Sequence, residues 1–273
     1  MKPTVAIVGI GLIGGSLGLA LRKSKRYRVL GIARRPVTLV EARRLGAIDA
    51  GSTNLTDVYQ ADIVVLCMPV DDIVPVLEKL KPFLKPRAIV TDVGSVKGVL
   101  DQQVRGVRFV GAHPLAGSHK AGVKASRADL FQKAVCVLVP QDRSAVNAVR
   151  DLWQAAGARV LLMSARAHDA AVALTSHLPH LVAHALIHVA AGRRDQKVLQ
   201  SLMAGSFRDA TRVASSDPEQ WVQIFQANAG DLRQAVRLFQ RELNRLAAQL
   251  DRPSLRATMK KSQSYRLPLF DGL

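Results

Sequence analysis

The segment Thr4–Ser16, TVAIVGIGLIGGS, constrains the fold of this chain more strongly than any other stretch. It opens with the short apolar run Thr4–Val8, which is rich in β-branched residues. Gly9, Gly11 and Gly14 follow with G-x-G-x-x-G spacing, and an apolar pattern with a helical period comes next. This order predicts a strand, a tight turn and a helix, which is the dinucleotide-binding unit of Rossmann folds.

Each residue of this turn has an expected task. Gly9 permits the turn, Gly11 leaves no Cβ in the way of a pyrophosphate, and Gly14 lets the helix pack close to the strand. Leu12 and Ile13 begin the helix, whose free backbone N–H groups face the phosphate charge. We expect these five residues to bind the cofactor.

The second predicted strand, Tyr27–Ala33, decides which dinucleotide we expect. In an NAD-binding unit an acidic residue ends this strand, about twenty residues after the glycines, and binds the ribose hydroxyls. Here Ala33 stands at that place and is followed by Arg34 and Arg35. Because no carboxylate repels a 2′-phosphate and a guanidinium can bind one, the sequence favours NADP, with NAD as the weaker alternative. The other interpretation is that both arginines are ordinary surface residues.

Strand and helix patterns alternate through the first part of the chain. Further strands are predicted at residues 61–69, 88–93, 107–112, 134–139 and 159–163, with helical patterns at 71–80 and 144–156. This alternation predicts an α/β fold with a doubly wound parallel sheet. Ligands of such sheets bind at the carboxyl ends of the strands, where Pro69, Ser95 and His113 fall. We expect Pro69 to contact the cofactor.

The pattern changes near Ser164. Residues 165–191, 207–214 and 218–250 carry helical patterns without a strand signal. We therefore predict a dinucleotide-binding domain over residues 1–164 and an all-helical, substrate-binding domain over 165–273. The apolar faces of the second domain are long for about one hundred residues, so we expect them to pack on a second copy in a homodimer. The basic tail after Asp251 is expected to be a loosely held extension.

The charge of the chain is strongly positive. It has 39 Lys and Arg against 21 Asp and Glu, a formal net charge of +18. No zinc-finger spacing, aromatic RNA-binding signature or isolated basic helix accompanies this charge. We expect a solvated surface that draws in anionic small molecules, and no specific nucleic-acid partner.

Hydropathy and cysteine usage indicate the cellular location. No apolar run approaches the roughly 18 to 20 residues needed to span a bilayer, and the N-terminus enters a strand directly. Cys67 and Cys136 lie in separate apolar runs, which favours buried free thiols over a disulfide or a metal site. We expect a soluble, cytoplasmic protein without a membrane partner.

Six motifs taken in order carry a family resemblance. GIGLIGGS, VVLCMP, TDVGSVKG, GAHPLAGS, HDAAVALTSHLPH and FRDATRVASSDPEQW resemble the prephenate and arogenate (cyclohexadienyl) dehydrogenases of tyrosine biosynthesis, over about residues 4–250. The resemblance implies oxidative decarboxylation of a cyclohexadienol acid by hydride transfer to the nicotinamide, with 4-hydroxyphenylpyruvate or tyrosine as product. His119 departs from the family pattern, since an acidic residue is common there.

This chemistry requires a base at the substrate hydroxyl, and His113 is our candidate. It follows an apolar strand and precedes Pro114, so we expect it at the carboxyl end of that strand, where an imidazole can take a proton near neutral pH. Its structural alternative is to cap the turn. Ser95, after the preceding strand, is short enough to bridge the hydroxyl, His113 and the nicotinamide. The alternative for Ser95 is an ordinary helix N-cap.

The long helical segment supplies two further candidates, His177 and His180, which flank Pro179. A proline there bends the helix and turns the rings toward the cleft. By resemblance, His177 supports the site and His180 approaches the substrate side chain. His180, His184 and His188 share a helical face, but no acid or cysteine completes a metal site, so we expect no bound metal.

Arg212 is our candidate for binding a substrate carboxylate, because a planar guanidinium pairs with it bidentately and stays charged. The alternative is a surface arginine. Arogenate would gain from an acidic partner for its ammonium group, whereas prephenate would gain from donors to its keto acid. Because His180 can be such a donor, the sequence weakly favours prephenate; an arogenate-specific enzyme is the alternative.

Two other classes of protein stay open. A β-hydroxyacid dehydrogenase or imine reductase has a similar domain order but needs a catalytic lysine in the helical half, where only Lys197 occurs. A non-catalytic NADP-binding or nucleic-acid-binding protein would bind cofactor without turnover, or DNA with a steep salt dependence.

Overall fold

A computed structural model of the chain describes residues 2–118 and 120–270. The strands are β1 (Thr4–Val8), β2 (Arg28–Ile32), β3 (Ala50–Ser52), β4 (Ile63–Leu66), β5 (Ile89–Asp92), β6 (Arg108–Pro114), β7 (Val135–Pro140) and β8 (Arg159–Leu162). They form one sheet in the order β3-β2-β1-β4-β5-β6-β7-β8.

Helices cover the sheet and make up the rest of the chain. Around the sheet they are α1 (Leu12–Ser24), α2 (Pro36–Arg44), α3 (Val70–Leu80), α4 (Gly98–Gln103) and α5 (Val146–Ala155). Beyond the sheet they are α6 (Ala165–Val172), α7 (Leu178–Ala191), α8 (Gln196–Leu202), α9 (Gly205–Thr211), α10 (Pro218–Ala227), α11 (Ala229–Ala247) and α12 (Ser254–Phe270). The predicted order, a Rossmann sheet followed by an all-helical part, is confirmed.

The sheet departs from the predicted all-parallel arrangement at one place. β7 pairs antiparallel with β6, and β8 then runs parallel to β7. The chain between β6 and β7 contains a short 3-10 turn, Val123–Ala125, and no longer helix in its described residues. A parallel neighbour is usually reached through a crossover helix, and the described part of this connection has only the 3-10 turn, so the chain returns in the opposite direction. The strand β3 was not predicted.

The core lies on both faces of the sheet, because side chains alternate along each buried strand. On one face, Val5 and Ile7 of β1 pack with Leu17 and Leu21 of α1. On the other face the apolar side of α3 packs against β4 and β5. Ile224 of α10 belongs to this second cluster, so the helical half is anchored on the sheet.

The predicted helical run over residues 165–191 is interrupted. α6 ends at Val172, one turn of π-helix covers Ala173–His177, and Pro179 lies in the first turn of α7. Proline lacks an N–H and is tolerated in a first turn, so the distortion falls just before it. The pattern over residues 218–250 also divides, into α10 and α11, at Asn228.

Ser254–Phe270 forms a helix that the sequence did not predict, and most of its side chains are exposed, so the expectation of a loosely held extension stays a prediction. Thr258 on this helix donates a hydrogen bond to the side chain of Gln249, 2.9 Å away. Residues 271–273 lie outside the described part of the chain.

The expectation that no apolar stretch could span a membrane also needs correction. By length and composition alone, the helical segment Ala165–Ala191 could cross a membrane, and 22% of its most apolar stretch is buried within the protomer. Helices at the core or interface of soluble proteins meet the same two criteria, so this is weak evidence for a membrane location.

Candidate active site

The glycine turn between β1 and α1 is shaped by close backbone contacts. Gly9 has φ +98°, and a Cβ there would lie 2.2 Å from the carbonyl oxygen of Cys67. A Cβ on Gly14 would lie 2.1 Å from the carbonyl oxygen of Gly9. A Cβ on Gly11 would meet no atom within 4 Å. Gly11 therefore borders open space at the amino end of α1, where a pyrophosphate can approach the free N–H groups.

The other residues expected to bind cofactor lie around this turn. Leu12 and Ile13 are partly buried in the first turn of α1, and Pro69 precedes α3 at the carboxyl end of β4. Ala33 follows β2, and Arg34 and Arg35 are exposed beyond it. Neither arginine forms an ion pair within the described residues, so both guanidinium groups are available to an anion.

A segment that the sequence analysis did not single out also contacts the glycine turn. The hydroxyl of Ser126 lies 3.3 Å from the carbonyl oxygens of Gly11 and Leu12. The backbone N–H of Arg127 donates to the hydroxyl of Ser16, 3.0 Å away. These contacts fix the segment after β6 against the start of α1.

His113 lies near the carboxyl end of β6 and is the first member of a hydrogen-bonded chain. Its Nδ1 is 2.8 Å from Nε2 of His168, and Nδ1 of His168 is 2.7 Å from Oδ1 of Asp169. Both partners come from α6. Burial, followed by the nearby His168, Lys97 and His177, holds the pKa of His113 well below its usual value. His113 is therefore neutral near pH 7, as a base must be.

Asp169 joins the helical half to the Rossmann half. Its carboxylate accepts hydrogen bonds from the backbone N–H groups of Lys97, at 2.9 Å, and Gly98, at 2.7 Å, in the first turn of α4. Burial alone would raise the pKa of Asp169, but the hydrogen bonds from His168, Lys97 and Gly98 outweigh it and lower that pKa. Asp169 is therefore an ionised carboxylate that can only accept.

A buried ion pair fixes the strand that carries His113. The ammonium group of Lys97 contacts the carboxylate of Asp92, and both side chains are shielded from solvent. Lys97 also donates to the carbonyl oxygen of Ala112, at 2.8 Å, and Asp92 accepts from the N–H of Ala112, at 3.0 Å. The two charges therefore hold both backbone polar groups of the residue that precedes His113.

Ser95 lies in the bend between β5 and α4 and is partly exposed. α4 begins at Gly98 with Lys97 as its N-cap, so the alternative interpretation of Ser95 as a helix cap was wrong. β5 and β6 are neighbouring parallel strands, so Ser95 and His113 follow the same edge of the sheet.

His177 and His180 lie on either side of the first turn of α7, next to Trp221. Nδ1 of His177 is 3.2 Å from the amide nitrogen of Asn228, and the ring of His180 stacks on that of Trp221 at a centroid distance of 3.3 Å. Nε2 of His177 and Nδ1 of His180 are buried without a hydrogen-bond partner in the described residues. Such nitrogens are suited to bind a polar ligand.

Burial lowers the pKa of both rings to about 4. For His180, the charges of His184, His177 and Arg212 lower the pKa further. Both rings are therefore neutral near pH 7 and can donate or accept a hydrogen bond without carrying charge.

Arg212 follows α9 and is exposed in the protomer. The positive charge of Arg212 lowers the pKa of His180, and Arg212 makes no ion pair with any carboxylate of the described residues. Ring contacts thus join His177 and His180 to Trp221, and the charge of Arg212 acts on His180. His177 in turn lies close enough to His113 to lower its pKa.

The described residues contain no group of three or more His, Cys, Asp or Glu that could hold a metal ion. His119 lies outside the described residues.

Four buried polar residues of this site were missed by the sequence analysis: His168, Asp169, Lys97 and Asn228. Asn228 donates to the backbone oxygen of Asp169, at 2.9 Å, as well as contacting His177. The adjacent His and Asp at the start of the motif HDAAVALTSHLPH were a usable signal, because charged side chains in an apolar helix need partners. Asn228 stands between two apolar helical stretches, where only the fold reveals its partners.

Comparison with known proteins identifies relatives of the whole chain. The family model for the nucleotide-binding domain of prephenate dehydrogenase matches residues 17–162, and that for its dimerization domain matches residues 164–261. The prephenate dehydrogenase of Bacillus subtilis is 35% identical, covering 100% of this chain and 76% of the relative. The cyclohexadienyl dehydrogenase of Zymomonas mobilis is 37% identical, covering 97% and 95%.

Solved structures of prephenate and arogenate dehydrogenases have the same fold as this chain. The prephenate dehydrogenase of Aquifex aeolicus, crystallised with hydroxyphenyl propionate and NAD+, has a TM-score of 0.92 at 34% identity and covers 98% of this chain and 99% of its own. The arogenate dehydrogenase of Synechocystis has a TM-score of 0.85 at 33% identity, with coverage of 96% and 98%.

Proposed function

This chain belongs to the prephenate dehydrogenase family, and from that premise we propose that it oxidises and decarboxylates prephenate with NADP as the hydride acceptor. The product is then 4-hydroxyphenylpyruvate. The observation that carries the proposal is the position of His113, hydrogen-bonded to His168, at the sheet edge that also bears the glycine turn.

The residues of the site match the needs of the reaction. The oxidised nicotinamide, when bound, accepts the hydride from the carbinol carbon. His113 takes the proton of the substrate hydroxyl as that oxygen becomes a carbonyl, and Ser95 orients the hydroxyl. The ring carboxylate leaves as carbon dioxide, its bonding electrons make the ring aromatic, and the phenolate oxygen takes the proton back from His113.

Arg212 supplies the fixed positive charge. A guanidinium holds a carboxylate by two parallel hydrogen bonds and cannot donate its proton to it. Exposure of Arg212 in the protomer, close to His180, fits a residue that gains its partner when substrate binds or when the dimer forms. His177 and His180 bind the side chain of the substrate on the same face.

The preference for prephenate over arogenate rests on the chemistry of these side chains. His177, His180 and Arg212 include no carboxylate that could pair with the ammonium group of arogenate. The unpartnered ring nitrogens of His177 and His180 can instead donate to a keto acid. An arogenate-specific enzyme is the second candidate, because a relative with similar structure is an arogenate dehydrogenase.

The preference for NADP rests on Ala33, Arg34 and Arg35. We predict that Ala33→Asp combined with Arg34→Ser shifts the ratio of kcat/KM values toward NAD, because the new carboxylate repels a 2′-phosphate and binds ribose hydroxyls. Arg105→Ser, which removes an arginine at the far end of α4, is the matched control. An unchanged ratio in the double variant would mean that other residues choose the cofactor.

A steady-state assay of nicotinamide reduction tests the function itself. Prephenate and arogenate are each offered with NADP and with NAD, and carbon dioxide release is followed in parallel. We expect prephenate with NADP to be the best pair, and we expect His113→Asn to lower kcat by about two to four orders of magnitude while cofactor binding is kept. Cofactor binding with no turnover in any combination would favour the non-catalytic alternative.

The remaining alternatives gain no support from the site. Lys197, the only lysine between Ala165 and Asp251, is exposed on α8, whereas a β-hydroxyacid dehydrogenase needs a lysine in the cleft. Structural relatives of that class are about 15% identical and share the fold alone. We further propose a soluble, cytoplasmic homodimer, with a division between its two domains near residue 164 and without a specific nucleic-acid or membrane partner.

A further inference from the structure

We infer that His168, held by Asp169, is a positioning residue that fixes the tautomer of His113 and accepts the Nδ1 proton of His113 during the reaction. The inference rests on the proposed role of His113 as the base. It is carried by two short contacts, 2.8 Å between His113 and His168 and 2.7 Å between His168 and Asp169.

The direction of each hydrogen bond follows from Asp169. Its two oxygens accept from the backbone N–H groups of Lys97 and Gly98, which can only donate. A carboxylate in this position is ionised and has no proton to give. Nδ1 of His168 must therefore carry the proton that binds Asp169.

The proton position on His168 also fixes the direction of its hydrogen bond with His113. In a neutral His168 with its proton on Nδ1, Nε2 is an acceptor. Nδ1 of His113 faces that acceptor and must donate. The lone pair of His113 is thereby placed on Nε2, which has no hydrogen-bond partner among the described residues. A free imidazole in water mostly adopts the opposite tautomer, so without His168 the nitrogen available to the substrate would mostly carry a proton.

The chain of groups can also carry the proton that His113 receives. When the substrate hydroxyl protonates Nε2 of His113, the Nδ1 proton can move to Nε2 of His168, which leaves His113 neutral. His168 then holds a positive charge next to the Asp169 carboxylate. When the phenolate takes its proton back from Nε2 of His113, the Nδ1 proton returns, so no proton is gained or lost by the protein.

This arrangement exists only when the two halves of the chain are together. His113 belongs to β6, whereas His168 and Asp169 belong to α6. Asp169 is also bound to α4 and, through its backbone oxygen, to Asn228. Four segments of the chain therefore fix the positions of the two residues that orient the base, and 1% of His168 is exposed.

Nitrogen-15 NMR of the histidine side chains in the ligand-free wild-type protein tests the tautomer directly, with His113 assigned by its loss in His113→Asn. We expect the proton of His113 on Nδ1 and an unprotonated Nε2. A proton on Nε2 of His113 would overturn the inference, whether or not the protein turns over either substrate.

Two substitutions separate orientation from proton acceptance. In His168→Gln the amide oxygen can accept from Nδ1 of His113 but cannot take its proton, and in His168→Phe neither is possible. We expect His168→Phe to lose the Nδ1–H tautomer and to lower kcat toward the level of His113→Asn, about 10² to 10⁴-fold. His168→Gln should keep the tautomer and retain an intermediate kcat.

The control is His188→Gln, at an exposed position of α7, which should keep the wild-type kcat and tautomer. Cofactor affinity, measured by fluorescence of the reduced nucleotide, checks that the variants are folded. Wild-type kcat in folded His168→Phe would contradict the inference. Absence of turnover in the wild type, with the expected tautomer, would instead refute the proposed function and leave the hydrogen-bonded arrangement supported.

Discussion

His113 illustrates how the surroundings of one side chain set its chemistry. Its ring is enclosed at the junction of two halves of the chain, and burial disfavours the imidazolium more than any neighbouring group does. The positive charges that face it, Lys97 and the protonated forms of His168 and His177, act in the same direction. The neutral imidazole of His113 therefore persists to lower pH than that of a histidine in water.

This predicts the pH dependence of the reaction. The usual pKa of histidine is about 6.5, and that of His113 is lowered. The midpoint of the acid limb of the kcat/KM profile should therefore lie below pH 6.5. Protonation inactivates the base, so activity is kept above the lowered pKa and lost as the pH falls through it. The profile is measured from pH 4.5 to 8 at roughly constant ionic strength. An acid limb centred above pH 6.5 would contradict the assignment.

The Lys97–Asp92 pair has a structural effect that can be measured separately. Lys97→Met leaves the buried carboxylate of Asp92 without its counter-charge, which costs about 3 to 5 kcal/mol in the free energy of unfolding. Lys85→Met breaks the exposed pair with Asp62 and should cost below about 1 kcal/mol. Denaturant titration compares the two variants. Equal losses would mean that the Lys97–Asp92 pair is not a buried ion pair in solution.

Among single residues, the sequence could predict those that belong to a motif. Gly9, Gly11 and Gly14 stand out by spacing, and His113 stands out next to Pro114 at a strand end. For His168 the sequence offers only the adjacent Asp169 as a signal, and it does not reveal the contact with His113, which is 55 residues away in the chain.

At the scale of elements, the glycine turn offers a clean comparison. Gly14→Ala should lower the free energy of unfolding by about 1 to 3 kcal/mol, because its Cβ would lie 2.1 Å from the backbone of Gly9 and force α1 away from β1. Gly11→Ala, whose Cβ meets no atom within 4 Å, should leave stability unchanged and raise the KM for the dinucleotide.

Thermal unfolding and cofactor titration measure both effects. A stable Gly11→Ala variant with wild-type cofactor affinity would show that the phosphates do not approach this turn.

The order of elements was predictable, whereas one strand direction was not. Buried strands such as β4 are continuous apolar runs, and helical periodicity separates them. β7 runs antiparallel to β6 because no crossover helix follows Pro114 in the part of this connection that the structure describes. The residue pattern between 115 and 134 did not reveal that this helix is absent. The break at Asn228 was hidden for a similar reason, since apolar periodicity continues on both sides of it.

For the whole molecule, the helical half exposes apolar side chains that a single protomer leaves uncovered. Val189, Val198, Leu202 and Leu243 are between 53% and 72% exposed. These residues lie within the match to the dimerization domain, over residues 164–261. A second copy that covers these faces would explain why Ala165–Ala191 is apolar without requiring that it lie in a membrane.

We predict that the wild-type protein elutes at twice the protomer mass of 29.5 kDa. Leu202→Glu should shift it toward the monomer, because a carboxylate buried in an apolar interface costs several kcal/mol. Val37→Glu, at a position 67% exposed on α2, is the control and should stay dimeric. Light scattering after size exclusion gives the masses. A monomeric wild type would refute the homodimer.

The central claim is that a ring acid binds between the two halves, with its hydroxyl on His113 and a carboxylate on Arg212. A crystal structure with NADP and hydroxyphenyl propionate, the ligand of the Aquifex aeolicus relative, tests it most directly. We expect Nε2 of His113 within hydrogen-bonding distance of the phenolic oxygen and Arg212 paired with a ligand carboxylate. A ligand-bound structure in which His113 turns away from the nicotinamide and Arg212 lies in bulk solvent would contradict it.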